Sequence, residues 1–208
     1  MARQDRAERT RNAIVDAAAE VFEARGFAGA SLSDILARAG VTKGALYFHF
    51  SSKEELAKAL IEEQWMIELP PLDRITNPIQ SVIDLCHSFC YNLCTNIRVR
   101  ASNRLVTEAN FERPEPEVYN RWNDMLYEYL KVAKANGDLR AEIDPRVVAT
   151  WMGGAVFGIQ TMSGVLTGRA DLRDRLTDHF KISLPGLVPP RRLSRFEPAG
   201  TIRWDSAA

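Results

Sequence analysis

The sequence predicts an all-α protein, with an N-terminal three-helix helix-turn-helix head followed by a larger C-terminal helical body. Three observations predict it. Apolar residues recur at spacings of three and four through most of the chain, no segment alternates as a half-buried strand would, and Ser/Thr caps with Gly or Pro stops punctuate the helical stretches. The chain of 208 residues, 46% hydrophobic, is long enough to bury a substantial core.

The first helix spans residues 7–25, where Ala13, Ile14, Ala17, Ala18, Val21 and Phe22 share a face and Gly26 provides the stop. Ser31 opens a second, with Asp34 as its capping-box partner and Leu32, Ile35, Leu36 and Ala39 inward, ending at Gly40. Residues 42–53 carry a third, short helix. Thr42 is its N-cap, Leu46 and Phe50 anchor it, and Lys43, Tyr47 and His49 face outward. Ser52 and Glu55 form another capping box opening a fourth helix that runs to about residue 68, where Pro70 and Pro71 stop it.

Helical patterns then cover residues 79–94, 97–109, 116–135, 145–164 and 172–184, with turns at Asn136-Gly137 and Gly168. The expected domains are a three-helix head at 1–52 and a larger helical body at 53–190, whose residues 53–68 form the connecting helix. A loosely ordered tail is expected at 191–208, with Phe196, Ile202 and Trp204 hinting at some docking.

Acidic and basic residues balance at 27 each, so the neutral total argues mildly against nucleic acid and shifts attention to local charge. Arg3, Arg6, Arg9 and Arg11 crowd the first turns, opposed only by Asp5 and Glu8. The expectations are no secretory signal, no membrane span and a cytoplasmic protein.

Residues 31–49 read as helix, tight turn, helix, the plan in which the second helix enters the major groove. Lys43 suits guanine O6 and N7, and Gly44 permits close approach. Thr42, Tyr47, His49 and Lys53 suit phosphate oxygens, Ser33 adds a contact at the start of its helix, and Arg11 with the arginine arm reaches a neighbouring phosphate stretch or minor groove. The competing reading is plain helical packing, with Tyr47 and Phe48 in the core.

The run Gly40-Val41-Thr42-Lys43-Gly44-Ala45-Leu46-Tyr47-Phe48-His49-Phe50, followed by Ser52-Lys53-Glu54-Glu55-Leu56, resembles the DNA-binding signature of TetR-type transcriptional repressors over about residues 5–60. The opening Met-Ala-Arg-Gln-Asp-Arg-Ala, with Thr10-Arg11 and the wording of residues 41–50, is most similar to the γ-butyrolactone receptors of antibiotic-producing bacteria. That resemblance implies a bacterial homodimer that represses promoters on operator DNA, associates with the nucleoid through it, and lets go when a small lactone or butenolide binds the body. It further implies that the last two long helices make the dimer interface and that Trp122 faces ligand.

Phe157 and Thr161 share a helix face and can offer an apolar wall and a hydroxyl; Gln64 is a further polar candidate. Each has a plainer reading: Trp122 as core, Thr161 bonded to its own helix, Gln64 as solvated surface. A sister pseudo-receptor answering to an antibiotic or its precursor is an alternative.

The three cysteines, Cys86, Cys90 and Cys94, lie on one helical face. The outer pair would be about 12 Å apart at the helical rise, too far to share one ion, so buried hydrophobes are expected and a thiol-based redox or metal sensor is the alternative of another class. No Gly-x-Ser-x-Gly, phosphate loop, dinucleotide fingerprint or His-Glu-x-x-His is present, and neither a catalytic residue, a metal site nor a cofactor is expected.

Overall fold

The computed structural model describes residues 2–63, 76–108 and 116–204, and every regular element among them is helical. In order these are α1 (Ala2–Gly29), α2 (Leu32–Ala39), α3 (Lys43–His49), α4 (Lys53–Glu63), α5 (Pro78–Thr95), α6 (Ile97–Thr107), α7 (Pro116–Ala135), α8 (Pro145–Thr167), α9 (Leu172–Leu187) and a 3₁₀ helix (Pro190–Arg195). The predicted Gly26 stop is a break inside α1, with φ 68° and ψ 177°, a region open essentially to glycine alone. The helix resumes for one turn beyond it. The fourth helix was expected to reach residue 68; residues beyond 63, Gln64 among them, lie outside the described residues.

The chain forms two compact units, one of residues 1–68 and 95–115 and one of residues 69–94 and 116–208. The first therefore extends past the expected boundary at residue 52 and takes in α4 and α6. The reason is apolar and polar pairing. Leu56, Leu60 and Leu105 join Ile14, Phe22, Ile35 and Leu46 in one fully buried core, each contributing about 1.5–3 kcal/mol by leaving water. Along the seam between α1 and α6, Arg98 pairs with Asp16 at 2.7 Å, and Arg104 donates to the Glu23 carbonyl.

In the second unit Ile83, Cys86, Cys90, Leu126, Leu130, Leu176 and Phe180 are buried. α8 outruns its predicted end at residue 164 because a glycine without φ strain does not stop a helix; Gly168, with φ 62°, does. α9 likewise passes Pro185 to Leu187, its last carbonyls taken by Arg140, whose amide and guanidinium donate to Leu187 and Pro185, each at 2.9 Å.

The tail is not loose as far as residue 204. Arg192 and Arg195 pair with the buried carboxylate of Asp138 at 2.5 and 3.1 Å, and Phe196 is buried. The Glu197 amide donates to Gln80 Oε1 at 2.8 Å, the Thr201 amide to Asp84 Oδ1 at 2.7 Å, and Trp204 sets its edge against His87 and Tyr91. Gln80, Asp84, His87 and Tyr91 are one face of α5, a partner 111 to 117 residues away in the hydrogen bonds, which no local pattern announces. Residues 205–208 lie outside the described residues.

Candidate functional site

In the head, Ser31 caps α2 by accepting the Asp34 amide at 3.1 Å, and its hydroxyl donates to the Asp34 carboxylate at 2.7 Å. Gly40, at φ 64°, turns the chain, and Thr42 caps α3 by accepting the Ala45 amide at 3.2 Å. Leu46 and Phe50 are buried beneath α3, as their spacing predicts. The cap of α4 is a variation on the expected box: Ser52 accepts the Glu55 amide, while the Glu55 carboxylate accepts the amide and hydroxyl of Ser51 rather than the amide of Ser52.

Lys43, Gly44, Tyr47 and Phe48 form the outward arc of α3. The Lys43 ammonium sits 5.7 Å from the Tyr47 ring centroid, so the two share a patch that offers a charge and a phenol together. His49 is half-buried and meets Phe48 edge-on at 4.9 Å. Phe48 itself is 78% exposed. This departs from the packing reading of that residue, and the signal was available: two residues beyond Leu46 is a rotation of about 200°, which turns the ring away from the core. Ser33 and Thr42 are exposed, and the Arg11 guanidinium lies 5.3 Å over the Phe50 ring at the margin of the same unit.

Lys53 departs from its expected place on phosphate. Its ammonium donates to the carbonyls of Phe27 and Ala30 at 2.8 and 2.9 Å and lies over the Phe27 ring, clamping the junction of α1 and α2. Those carbonyls end a helix and need a donor, which a lysine at this distance supplies.

In the body, Trp122 of α7 is half-buried against Phe89 of α5, ring centroids 5.2 Å apart. Gly153 of α8 faces it closely: a Cβ there would stand 3.2 Å from Trp122 Cδ1 and 2.3 Å from Asn123 Oδ1. Phe157, one turn along α8, packs edge-on against Tyr119 at 5.9 Å. The pairs Phe89–Trp122 and Tyr119–Phe157 thus bring two of the four expected ligand residues onto the aromatic α7 and α8 pairing. Thr161 is not with them. It is exposed, donates to the Phe157 carbonyl at 2.8 Å and accepts from the buried Gln160 amide at 3.0 Å, which is the plainer reading of that hydroxyl. Tyr119 and Gln160 are body residues that spacing alone did not single out.

Burial pushes the Cys86 thiol up to about 12 and the Cys90 thiol well above its ordinary value, so neither supplies the thiolate that an oxidant or soft metal needs. Among the described residues no group of His, Cys, Asp and Glu could hold a metal ion, and no helix is long and apolar enough to cross a membrane.

With this geometry in place, residues 14–60 match the family described as bacterial regulatory proteins, tetR family. The A-factor receptor protein of Streptomyces griseus is 38% identical over 202 residues, covering 97% of this chain and 72% of that protein. The full-length TetR regulator TylP of Streptomyces fradiae superimposes with a TM-score of 0.81 at 35% identity, covering 93% of each chain. A γ-butyrolactone receptor described as ArpA-like gives a TM-score of 0.78 at 32% identity, covering 93% of this chain and 96% of the other. The TetR family protein CprB of Streptomyces coelicolor, in complex with its operator sequence, gives 0.71 at 31% identity, covering 91% and 94%.

Proposed function

The chain belongs to the TetR family of bacterial regulatory proteins, and from that premise we propose that it is a transcriptional repressor, not an enzyme, which holds operator DNA as a homodimer and releases it when a γ-butyrolactone or butenolide signal binds the body. The observation that carries the reading is likeness over nearly the whole chain, body included, to the A-factor receptor protein. The arc of Lys43, Gly44 and Tyr47 supports the DNA half. Lys43 reads guanine in the major groove, while Tyr47, Thr42, His49 and Ser33 meet phosphates, with Arg11 at the flank. Such a protein works in the bacterial cytoplasm, on the nucleoid.

Dimerisation is supported by the outer faces of α8 and α9, where Val165 and Ile182 are each 81% exposed and Met162 and Leu166 are also open. Apolar side chains in such a set are costly to leave in water and suit a second copy. Two recognition helices then meet half-sites about 34–36 Å apart, or a multiple of that. Trp122 and Phe157 supply the apolar wall that a lactone with an alkyl tail requires. Release requires the signal to prefer the DNA-free arrangement by about 1–3 kcal/mol or more of coupling.

The test is a gel shift on duplex DNA from upstream of the protein's own gene, with and without a synthetic alkyl γ-butyrolactone or butenolide. Retardation dispersed by either compound is expected. A duplex that is never retarded removes the DNA half. A retarded band that ignores both compounds but disperses with an antibiotic-containing culture extract moves the protein to the pseudo-receptor class, whose control of antibiotic genes would run through the product itself.

A further inference from the structure

Phe48 carries the one side chain of the outward arc of α3 to which neither charge nor hydrogen bonding gives a role. Its ring is 78% exposed, next to Tyr47 at 46%. A single exposed aromatic is ordinary on a protein surface. This one lies between residues whose roles are polar, on the face that meets the bases.

Two further observations define what it can meet. Gly44 is four residues before Phe48 and so directly beside it on the helix, and a Cβ placed at Gly44 would find nothing within 4 Å. Position 44 is therefore a bare strip of backbone one turn before Phe48, a shallow step into which a base-pair edge can come without displacing a side chain. Its other flank is His49, whose ring stands at 85° to it with centroids 4.9 Å apart.

In the major groove thymine alone carries a methyl group, at C5, where cytosine has only a hydrogen and the other groups that identify a base are polar. For an uncharged ring without donor or acceptor, that methyl is the largest apolar feature by which base pairs differ. Wedging between base steps is the other use of an exposed Phe, but it belongs to proteins that bind the minor groove. We propose that Phe48 is a specificity-determining residue that packs its ring on a thymine methyl beside the base pair read by Lys43, with Gly44 giving the pair room to approach. The proposal rests on the DNA-binding reading above, and adds to it a thymine requirement adjacent to the Lys43 position in each half-site.

The experiment uses the full chain and a duplex that the wild-type protein has itself selected from a random-sequence pool. Each thymine is replaced singly by deoxyuridine, which removes the methyl and nothing else, and affinities are measured at low salt so that phosphate contacts hold every complex. Wild type is expected to lose roughly fourfold at one thymine per half-site, the effect of one methyl group losing its apolar contact. Phe48→Ala should bind the thymine and deoxyuridine duplexes equally at that position, Phe48→Leu should retain part of the difference, and Lys43→Ala should keep it. The proposal is overturned if no thymine methyl matters to wild type, or if the methyl effect survives undiminished in Phe48→Ala. If wild type retains no duplex from the pool at all, the DNA reading itself fails, a result distinct from either of those.

Discussion

The Glu108 carboxylate accepts a hydrogen bond from the Phe27 amide at 2.7 Å, one residue past the break in α1 at Gly26. Its other oxygen takes the Arg104 guanidinium at 2.7 Å, and Arg104 in turn donates to the Glu23 carbonyl. The two residues thus finish the broken end of α1 with groups drawn from α6 and its C-cap, within a segment, residues 95–115, that is joined in sequence at both ends to the other compact unit. A carboxylate held this way has little room: a Cβ on Gly26 would lie 2.2 Å from it.

Glu108→Ala should therefore destabilise the protein by about 1–3 kcal/mol, the cost of leaving a part-buried amide without its acceptor. Gly26→Ala should cost a similar amount, about 1–3 kcal/mol, because φ 68° with ψ 177° is strained for any other residue. Since the added methyl also displaces the carboxylate, the double variant should lose less than the sum in chemical denaturation. Strict additivity would show that the two features are independent.

Lys43 and Lys53, ten residues apart, should separate cleanly by readout. Lys43 is exposed on the outward arc, so Lys43→Ala should remove about 1–3 kcal/mol of discrimination at one operator base pair while leaving thermal stability and dimerisation unchanged. Lys53 is spent on the Phe27 and Ala30 carbonyls, so Lys53→Ala should lower the melting temperature and weaken all duplexes alike. A Lys53→Ala protein of native stability with a reduced salt dependence of binding would return that lysine to the phosphates.

These two lysines also show where reading the sequence works and where it stops. Caps and anchors are local, so Thr42, Leu46, Phe50 and Gly40 were legible from spacing and residue type, and with them the helix-turn-helix. Lys53 was not, because the carbonyls it serves lie 26 and 23 residues earlier. α6 read as part of the body for the same reason: its arginines find Asp16 and Glu23 only after the chain has folded back. The tail's composition suggested looseness, yet Asp138 gives Arg192 and Arg195 a buried partner more than fifty residues away. Phe48 is different. Its outward direction was available from the helical rotation, but its aromatic character suggested the core.

Trp122 and Thr161 should behave differently in the effector response. Trp122→Ala removes an indole packed on Phe89, and the expected protein still binds operator but no longer releases it with lactone in a gel shift. Thr161→Val removes a hydroxyl already bonded to the Phe157 carbonyl, and its release should shift less than that of Trp122→Ala. Normal release by Trp122→Ala would take that tryptophan out of the effector site.

The tail's docking should make stability depend on pH through His87. Its Nε2 lies 3.0 Å from the Pro198 carbonyl, so the neutral ring donates from that nitrogen, and among the described residues the buried Nδ1 has no partner to accept a second proton's hydrogen bond. Burial is the largest influence and holds the imidazole below its ordinary value; the Pro198 carbonyl and Asp84 pull the other way, and Arg173 reinforces the depression. Phe180 and Trp204 supply the apolar walls. The unfolded imidazole takes its proton near pH 6.5 while the folded one resists, so the unfolded state binds more protons below that point. Stability should be flat above about pH 6.5 and fall as the pH is lowered toward about 5, before the ordinary carboxylates titrate. His179 is depressed by burial in the same direction, so His87→Gln, which keeps a donor for Pro198, should flatten only part of the slope in thermal unfolding. Parallel losses in wild type and His87→Gln would show that the proton goes elsewhere.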